Sequence, residues 1–247
     1  MTAAPAIVLE PALRDAVAAS HLATLPAATL GRVLADATLL RAPVGSTLRR
    51  EGDPGAHVEL VVSGLIRIYV AAPDGRTLTI RYARRGALMG AVSLFRPTYV
   101  LPGSIGAVVE SEVLALRATV LQQLAQTDLD VAHALNVELA DRVSGFTSGI
   151  PGSVFATVRQ RVASHLLDLA SERRHGPELV APISQQELAA AVGTVREVVV
   201  RVLRELRDEG LVTTNRGGIL LLAPERLLGE TFGASGTWVP PAADTGR

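Results

Sequence analysis

Cysteine is missing from all 247 residues. That removes disulfides, iron–sulfur clusters and cysteine-held zinc from the available chemistries. Lysine is missing too, so all 24 basic residues are arginines. The chain therefore has no P-loop lysine, no Schiff base and no kinase-type lysine. Aromatics are sparse at 3%, and neither sign of charge dominates, with 24 basic residues against 24 acidic ones. No whole-chain basic field announces a nucleic-acid partner, and any affinity for DNA must come from local placement. No apolar run approaches the length of a membrane span. The opening Met-Thr-Ala-Ala-Pro lacks the basic start and apolar core of a signal peptide, so a cytoplasmic protein is expected. Histidines 21, 57, 133, 165 and 175 show no metal-ligand spacing. His-Glu-x-x-His, Gly-x-Ser-x-Gly and Gly-x-Gly-x-x-Gly are absent, so neither a metal centre nor an enzyme is expected.

What the chain does have is 48% hydrophobic residues, enough for real cores, and a lysine-free, Ala-, Gly-, Val- and Leu-rich composition of the kind a GC-rich bacterial genome produces. Its most informative stretch is Ser184–Leu211. Ser184 can cap a helix, with Glu187 three residues on completing a capping box. Leu188, Ala189 and Val192 follow at helical spacing, and Gly193 supplies the permissive backbone of a sharp turn. Thr194 is placed to cap a second helix. Its apolar stripe is Val195, Val198, Val199, Val202, Leu203 and Leu206, and Gly210 stops it. This pattern predicts a DNA-binding helix-turn-helix. Arg196, Glu197 and Arg201 lie on the other face of the second helix, where arginine can read guanine and a carboxylate can accept from cytosine. The bland alternative is a set of surface i, i+4 ion pairs: Glu197 with Arg201, Arg201 with Glu205, Arg204 with Asp208.

Upstream, two short helices are expected, one opening at Pro11 and one from Ala27 to Ala37, with His21 between them at a surface or an interface. From Leu39 to Leu116, glycine-punctuated strands alternate through residues 58–62, 65–70, 78–82 and 107–116, with Pro73-Asp74-Gly75-Arg76 as a hairpin. They predict a small antiparallel barrel or sandwich. Thr119 to Phe146 reads as one long helix with a seam through Leu121, Leu124, Leu129, Ala132, Leu135, Leu139 and Val143. One stripe of it packs on the barrel, and another is left over for a second copy. Gly145 to Ser153 is dense in Gly, Pro and Ser and predicts a hinge. An amphipathic helix from Val154 to Arg173 follows. After the helix-turn-helix, residues 211–214 and 219–222 bracket a β-hairpin with Arg216 at its tip, where it could meet a phosphate. The expected division is a barrel domain over 1–118, a dimerisation helix over 119–147, a hinge over 148–153, a winged helix-turn-helix over 154–228 and a disordered tail over 229–247. The fold class is α+β. Trp238, in the tail, has no role in this reading.

This order of parts resembles the CRP/FNR transcription regulators, over roughly Leu39 to Leu222. Gly193-Thr194-Val195-Arg196-Glu197 with Arg201 looks like the family's recognition helix. The barrel turns Glu51-Gly52-Asp53, Val62-Ser63-Gly64-Leu65, Asp74-Gly75-Arg76 and Met89-Gly90-Ala91 are similar to family turns. The resemblance implies a homodimer that reads palindromic TGTGA-type half-sites through Arg196, Glu197 and Arg201, with Thr194, Val195, Gln186 and Arg216 as further DNA-contacting residues and RNA polymerase as a protein partner. It also implies a cyclic-nucleotide cassette, and here the sequence departs. The glutamate expected after Gly90 is Ala91. The phosphate-binding Arg-Ser pair falls at Leu101 and Pro102, with Arg96 too early to substitute. Of the two hydroxyl residues expected on the long helix, at Phe146 and Thr147, only Thr147 is one. An anion stripped of its charged partner costs several kcal/mol, so cyclic AMP is not expected as the effector. What stands is either a pocket altered for another, unknown effector or a vestigial one whose apo dimer already binds DNA, the second being favoured. The rival in another class is a sensor or interaction module whose winged helix meets protein rather than DNA.

Overall fold

The computed structural model describes residues 9–54, 56–73, 77–95, 100–173, 176–215 and 217–231. The chain forms two compact units. One runs to Val70 and resumes over Ile80–Gly145; the other joins Ala71–Thr79 to the residues from Phe146 onward.

The first unit opens with α1 (Pro11–Ala18), a 3-10 turn over His21–Thr24 and α2 (Ala27–Leu34). Strands β1 (Thr38–Ala42), β2 (Thr47–Arg49), β3 (His57–Ser63), β4 (Ile66–Ala71) and β5 (Thr77–Ala83) follow. They are succeeded by β6 (Leu88–Met89), a 3-10 turn over Ala91–Phe95, β7 (Ser104–Ala107) and β8 (Ser111–Arg117). The strands make two four-stranded sheets, ordered β1-β8-β3-β6 and β2-β7-β4-β5, and every register given between their strands is antiparallel. The expected α+β class with an antiparallel β-roll is therefore what the chain adopts.

Strand β3 shows why alternation was hard to see from composition. Val58, Leu60 and Val62 pack outward with Ala16, Val17, Leu22, Leu116, Leu121 and Leu135, a core shared with the helices. Val61, one step out of phase, packs inward with Ile66, Met89, Leu101, Ile105 and Val113. Both faces are buried, so the strand reads as a continuous apolar run. Gly64, φ +92°, is required at the turn that follows: a Cβ there would meet Ser111 Oγ at 2.2 Å.

The long helical run is not one helix. Asp128 is extended (φ −130°, ψ 111°) and separates α3 (Ala118–Thr127) from α4 (Leu129–Phe155). Its Oδ1 accepts from the backbone N–H of Asp130 at 3.1 Å, while Thr29 Oγ1 donates to its Oδ2 at 3.0 Å. A side chain that satisfies the first free N–H groups of the next helix while anchored on α2 fixes the break. Downstream the difference is in the other direction. The segment expected as a hinge, 148–153, is helical backbone within α4, Pro151 included. The break falls instead at Ala156–Thr157, where Thr157 caps α5 (Val158–Leu169) through a reciprocal capping box with Gln160. Val154 and Phe155 thus belong to α4, and the amphipathic helix is shorter than expected at both ends.

The second unit continues with β9 (Ser171–Arg173), β10 (Gly176–Ala181), α6 (Gln185–Val192), α7 (Arg196–Asp208), β11 (Val212–Asn215), β12 (Gly218–Leu221) and α8 (Pro224–Gly229). Its sheet has the order β11-β12-β10-β9. The expected hairpin is present, with Thr214 opposite Ile219, but β12 also pairs with β10, so the wing is the edge of a four-stranded sheet. His175, Arg216, Trp238 and the tail from residue 232 lie outside the described residues, as do Asp74-Gly75-Arg76 and Arg96.

No helix among the described residues is long and apolar enough to cross a membrane.

Candidate nucleic-acid interface

The helix-turn-helix is built as its residues dictate. Ser184 Oγ accepts from Glu187 N at 3.2 Å, and Glu187 Oε2 accepts from Ser184 N at 2.9 Å, closing the capping box on α6. Gly193 takes the left-handed conformation (φ 69°, ψ 42°), and its N–H and that of Thr194 both return to Ala189 O. Arg161 on α5 donates Nε to Val192 O at 3.0 Å and Nη1 to Ala156 O at 2.8 Å. One guanidinium thus satisfies a terminal carbonyl of α6 and one at the end of α4, and fixes the approach to the turn. Beneath, Leu188, Ala189 and Val192 of α6 and Val199, Val202, Leu203 and Leu206 of α7 are buried.

The start of α7 differs from expectation. The N-cap is Val195 (φ −96°, ψ 155°), not Thr194, and no side chain caps the helix. Thr194 is committed to the turn through its backbone bond to Ala189, which moves the first helical residue on to Arg196. Val195 accordingly leaves the apolar stripe: it is 56% exposed.

Arg196, Glu197 and Arg201 are all exposed, as is Gln186 on α6. Among the described residues, none of the three i, i+4 ion pairs forms; Glu205 is instead turned to Arg159, with Oε2 3.6 Å from Nη1. Arg159 also meets Glu209 and Glu230, each at 2.7 Å, so that α5, the end of α7 and the residue after α8 converge on one guanidinium. The hydrogen bonds it donates to Glu230 and then to Glu209 hold that guanidinium well above the usual arginine range. Glu205, one of the carboxylates that could have paired with Arg201, is thus engaged by Arg159 instead. Arg204, also exposed, lies three residues beyond Arg201 on the same outward face, a spacing visible in the sequence.

In the barrel, Gly90 (φ +82°) closes the approach to β3: a Cβ there would meet His57 O at 2.9 Å and Glu59 Oε2 at 3.5 Å. Glu59, only 3% exposed, is paired with Arg49 through Oε1 and Nε at 3.0 Å. Burial pushes its carboxyl up to about 7 against the opposing pull of Arg49. No sequence signal marked this pair; its two members lie on different strands, ten positions apart. Ala91 and Leu101 are buried, Leu101 within the barrel core, while Pro102 is exposed. Phe146 and Thr147 are exposed on α4. Behind the barrel, Arg142 on α4 donates Nε to Glu138 Oε1 at 2.6 Å and Nη2 to Leu88 O. Arg81 also donates to Leu88 O, at 3.3 Å. His21 gains partners the sequence did not suggest, with Nε2 3.1 Å from Asp141 Oδ2 and 3.5 Å from Glu138 Oε2.

Helix α4 carries two faces. Val131, Ala134 and Leu135 are buried in the barrel-side core. Leu129, Ala132, Asn136, Leu139, Val143 and Phe146 follow one another at steps of three and four on another face, with Leu129, Val143 and Phe146 exposed. That is the spacing of a coiled-coil seam.

Comparison with known proteins bears on both units. A model described as a Crp-like helix-turn-helix domain matches residues 160–229, and one described as a cyclic nucleotide-binding domain matches residues 39–128. The chain is 31% identical over 197 residues to the CRP-like protein Clp of Xanthomonas campestris pv. campestris, covering 76% of this chain and 86% of that one. It is 31% identical over 193 residues to the cAMP-activated global transcriptional regulator Vfr of Pseudomonas aeruginosa, covering 74% and 88%. The solved structure of the c-di-GMP responsive global regulator CLP of Xanthomonas campestris aligns with a TM-score of 0.66 at 30% identity, over 80% of this chain and 99% of that one.

Proposed function

The chain belongs to the CRP/FNR family of DNA-binding transcription regulators, and from that premise we propose that it acts as a homodimer on palindromic TGTGA-like half-sites without gating by cyclic AMP. The observation that carries the DNA reading is the outward face of α7. Arg196, Glu197 and Arg201 are exposed there, and none is tied up in the intrahelical ion pairs their spacing allows. Such side chains near the start of a recognition helix meet base edges in the major groove. The apolar seam from Leu129 to Phe146 on α4 supports two-fold pairing, which would set two copies of α7 on half-sites about one helical turn apart.

Against cyclic AMP stand Ala91 and Leu101, which bring no charge to a nucleotide. Beside them stands the Arg49–Glu59 pair next to Gly90, where Arg49 already has its counter-ion. The regulator Vfr is cAMP-activated and CLP is c-di-GMP responsive; here the effector end is read as vestigial. RNA polymerase is the expected protein partner of the DNA-bound dimer.

Selection of binding sites from random duplexes by the purified, ligand-free protein tests this reading. Recovery of a palindrome with TGTGA-like halves is the expected result. Recovery of no motif, or of one only when cyclic AMP is added, overturns it.

A further inference from the structure

We propose that Val195 is a specificity-determining residue that recognises thymine through its C5-methyl group. The proposal rests on the DNA reading of α7 and adds a base class to it.

The observation is a helix start that lacks a side-chain cap, as that of α8 does at Ala223, but that here falls on a branched apolar residue left exposed. Within the same unit, α5 and α6 each begin with a hydroxyl residue, Thr157 and Ser184, and each carries a complete capping box. Helix α7 begins with valine, whose side chain accepts nothing, leaving the first N–H groups without a side-chain cap. Valine is among the poorest choices at this position, and serine, threonine, asparagine or aspartate are the ordinary ones. The fold gains no compensating burial, because Val195 is 56% exposed while Val199, Val202 and Leu203 in the same helix supply the packing. A residue that weakens its own helix and faces water is chosen for something outside the chain.

Its surroundings say what. Val195 directly precedes Arg196 and Glu197, both exposed. A residue there enters the major groove with them. The apolar group that base edges offer in that groove is the methyl of thymine, and contact with it separates thymine from cytosine without a hydrogen bond. The branched, two-methyl side chain of valine is stiff at χ1, so little freedom is lost on contact.

The test uses the full-length protein and the duplex it selects, with each thymine replaced in turn by deoxyuridine, which removes only the methyl. Wild-type binding is expected to weaken about fourfold per half-site at one thymine position, the loss that burying one methyl group implies. Val195→Ala is expected to be indifferent to uridine at that position and to match wild type at all others. Val195→Ser supplies a second readout: restoring a cap should raise the melting temperature while discrimination between thymine and cytosine at that pair falls. If wild type and Val195→Ala respond alike at every thymine, or if wild type selects its site yet ignores uridine throughout, the assignment to Val195 is wrong and the DNA reading survives. A wild-type protein that selects no sequence at all sinks both.

Discussion

Replacing Arg201 by alanine separates base reading from mere surface charge. Arg201 is exposed in the middle of α7, and among the described residues it pairs with neither Glu197 nor Glu205, the latter lying 3.6 Å from Arg159 instead. No intramolecular bond has to be broken before the guanidinium meets DNA, so the loss on truncation is the whole contact. A bidentate arginine–guanine pair discriminates by about 1–3 kcal/mol. With one copy in each half of a dimer, the variant should lose about 4 kcal/mol, or roughly a thousandfold, on the selected palindrome. On random duplex the loss should be small, because phosphate contacts dominate there. Thermal stability should stay within about 0.5 kcal/mol, as for other exposed positions that carry no partner. Fluorescence anisotropy against the palindrome, against single-base variants and against random DNA, at several salt concentrations, reads all of this. The expected pattern is a flattened preference at one base pair per half-site with the salt slope unchanged. An Arg201→Ala protein that weakens equally on specific and random DNA would refute base reading and leave Arg201 as a phosphate contact.

Other expectations follow from the ion pairs and the seam. Arg159→Ala removes two 2.7 Å charge-assisted bonds and leaves Glu205, Glu209 and Glu230 facing one another. Partial solvent screening brings the expected loss to about 2–4 kcal/mol, larger at low salt, which chemical denaturation at two ionic strengths will measure. Glu59 has its carboxyl raised from about 4.5 to about 7 in the folded protein. The folded state therefore holds that proton more tightly. The stability it contributes is complete below about 4.5 and is lost as pH rises through about 7, a change of about 3 kcal/mol. Thermal melts between these limits should show the decline, and Glu59→Gln should flatten it. Val143 is 65% exposed on the α4 seam, so Val143→Glu should leave the fold intact and shift sedimentation from dimer to monomer; an unchanged dimer would show that another surface pairs the chains.

How much of this was legible depended on whether a signal was local. The capping box at Ser184 and Glu187, the glycine turn at Gly193 and the wing hairpin each depend on residues within four positions of one another, and each is where the sequence placed it. The start of α7 was misread by one residue. Both Thr194 and Val195 can precede a helix, and the choice is made by the backbone bond from Thr194 to Ala189, which propensity does not encode. Asp128 was missed because the apolar spacing runs on across it, whereas its anchor, Thr29, lies ninety-nine residues away. The supposed hinge is a different case: Gly149, Pro151 and Gly152 each disfavour a helix interior, yet the backbone there is helical, and the stop is the capping box at Thr157. The Arg49–Glu59 pair was invisible, since nothing in either strand announces that two charges will share a barrel interior.

Asn136 gives the α4 seam a consequence for company rather than for shape. It is the one strongly polar member of an otherwise mainly apolar file from Leu129 to Phe146. An amide at such a position is comfortable only opposite another amide, which an in-register parallel pair of identical helices provides. A sister regulator with leucine or valine at that position would leave the amide facing hydrocarbon, at the desolvation cost of an unpaired polar group. Where two copies pair through this seam, Asn136 would favour an identical partner over one with an apolar residue there. Mixing it with an Asn136→Leu copy of itself should yield the two homodimers in excess of the statistical share.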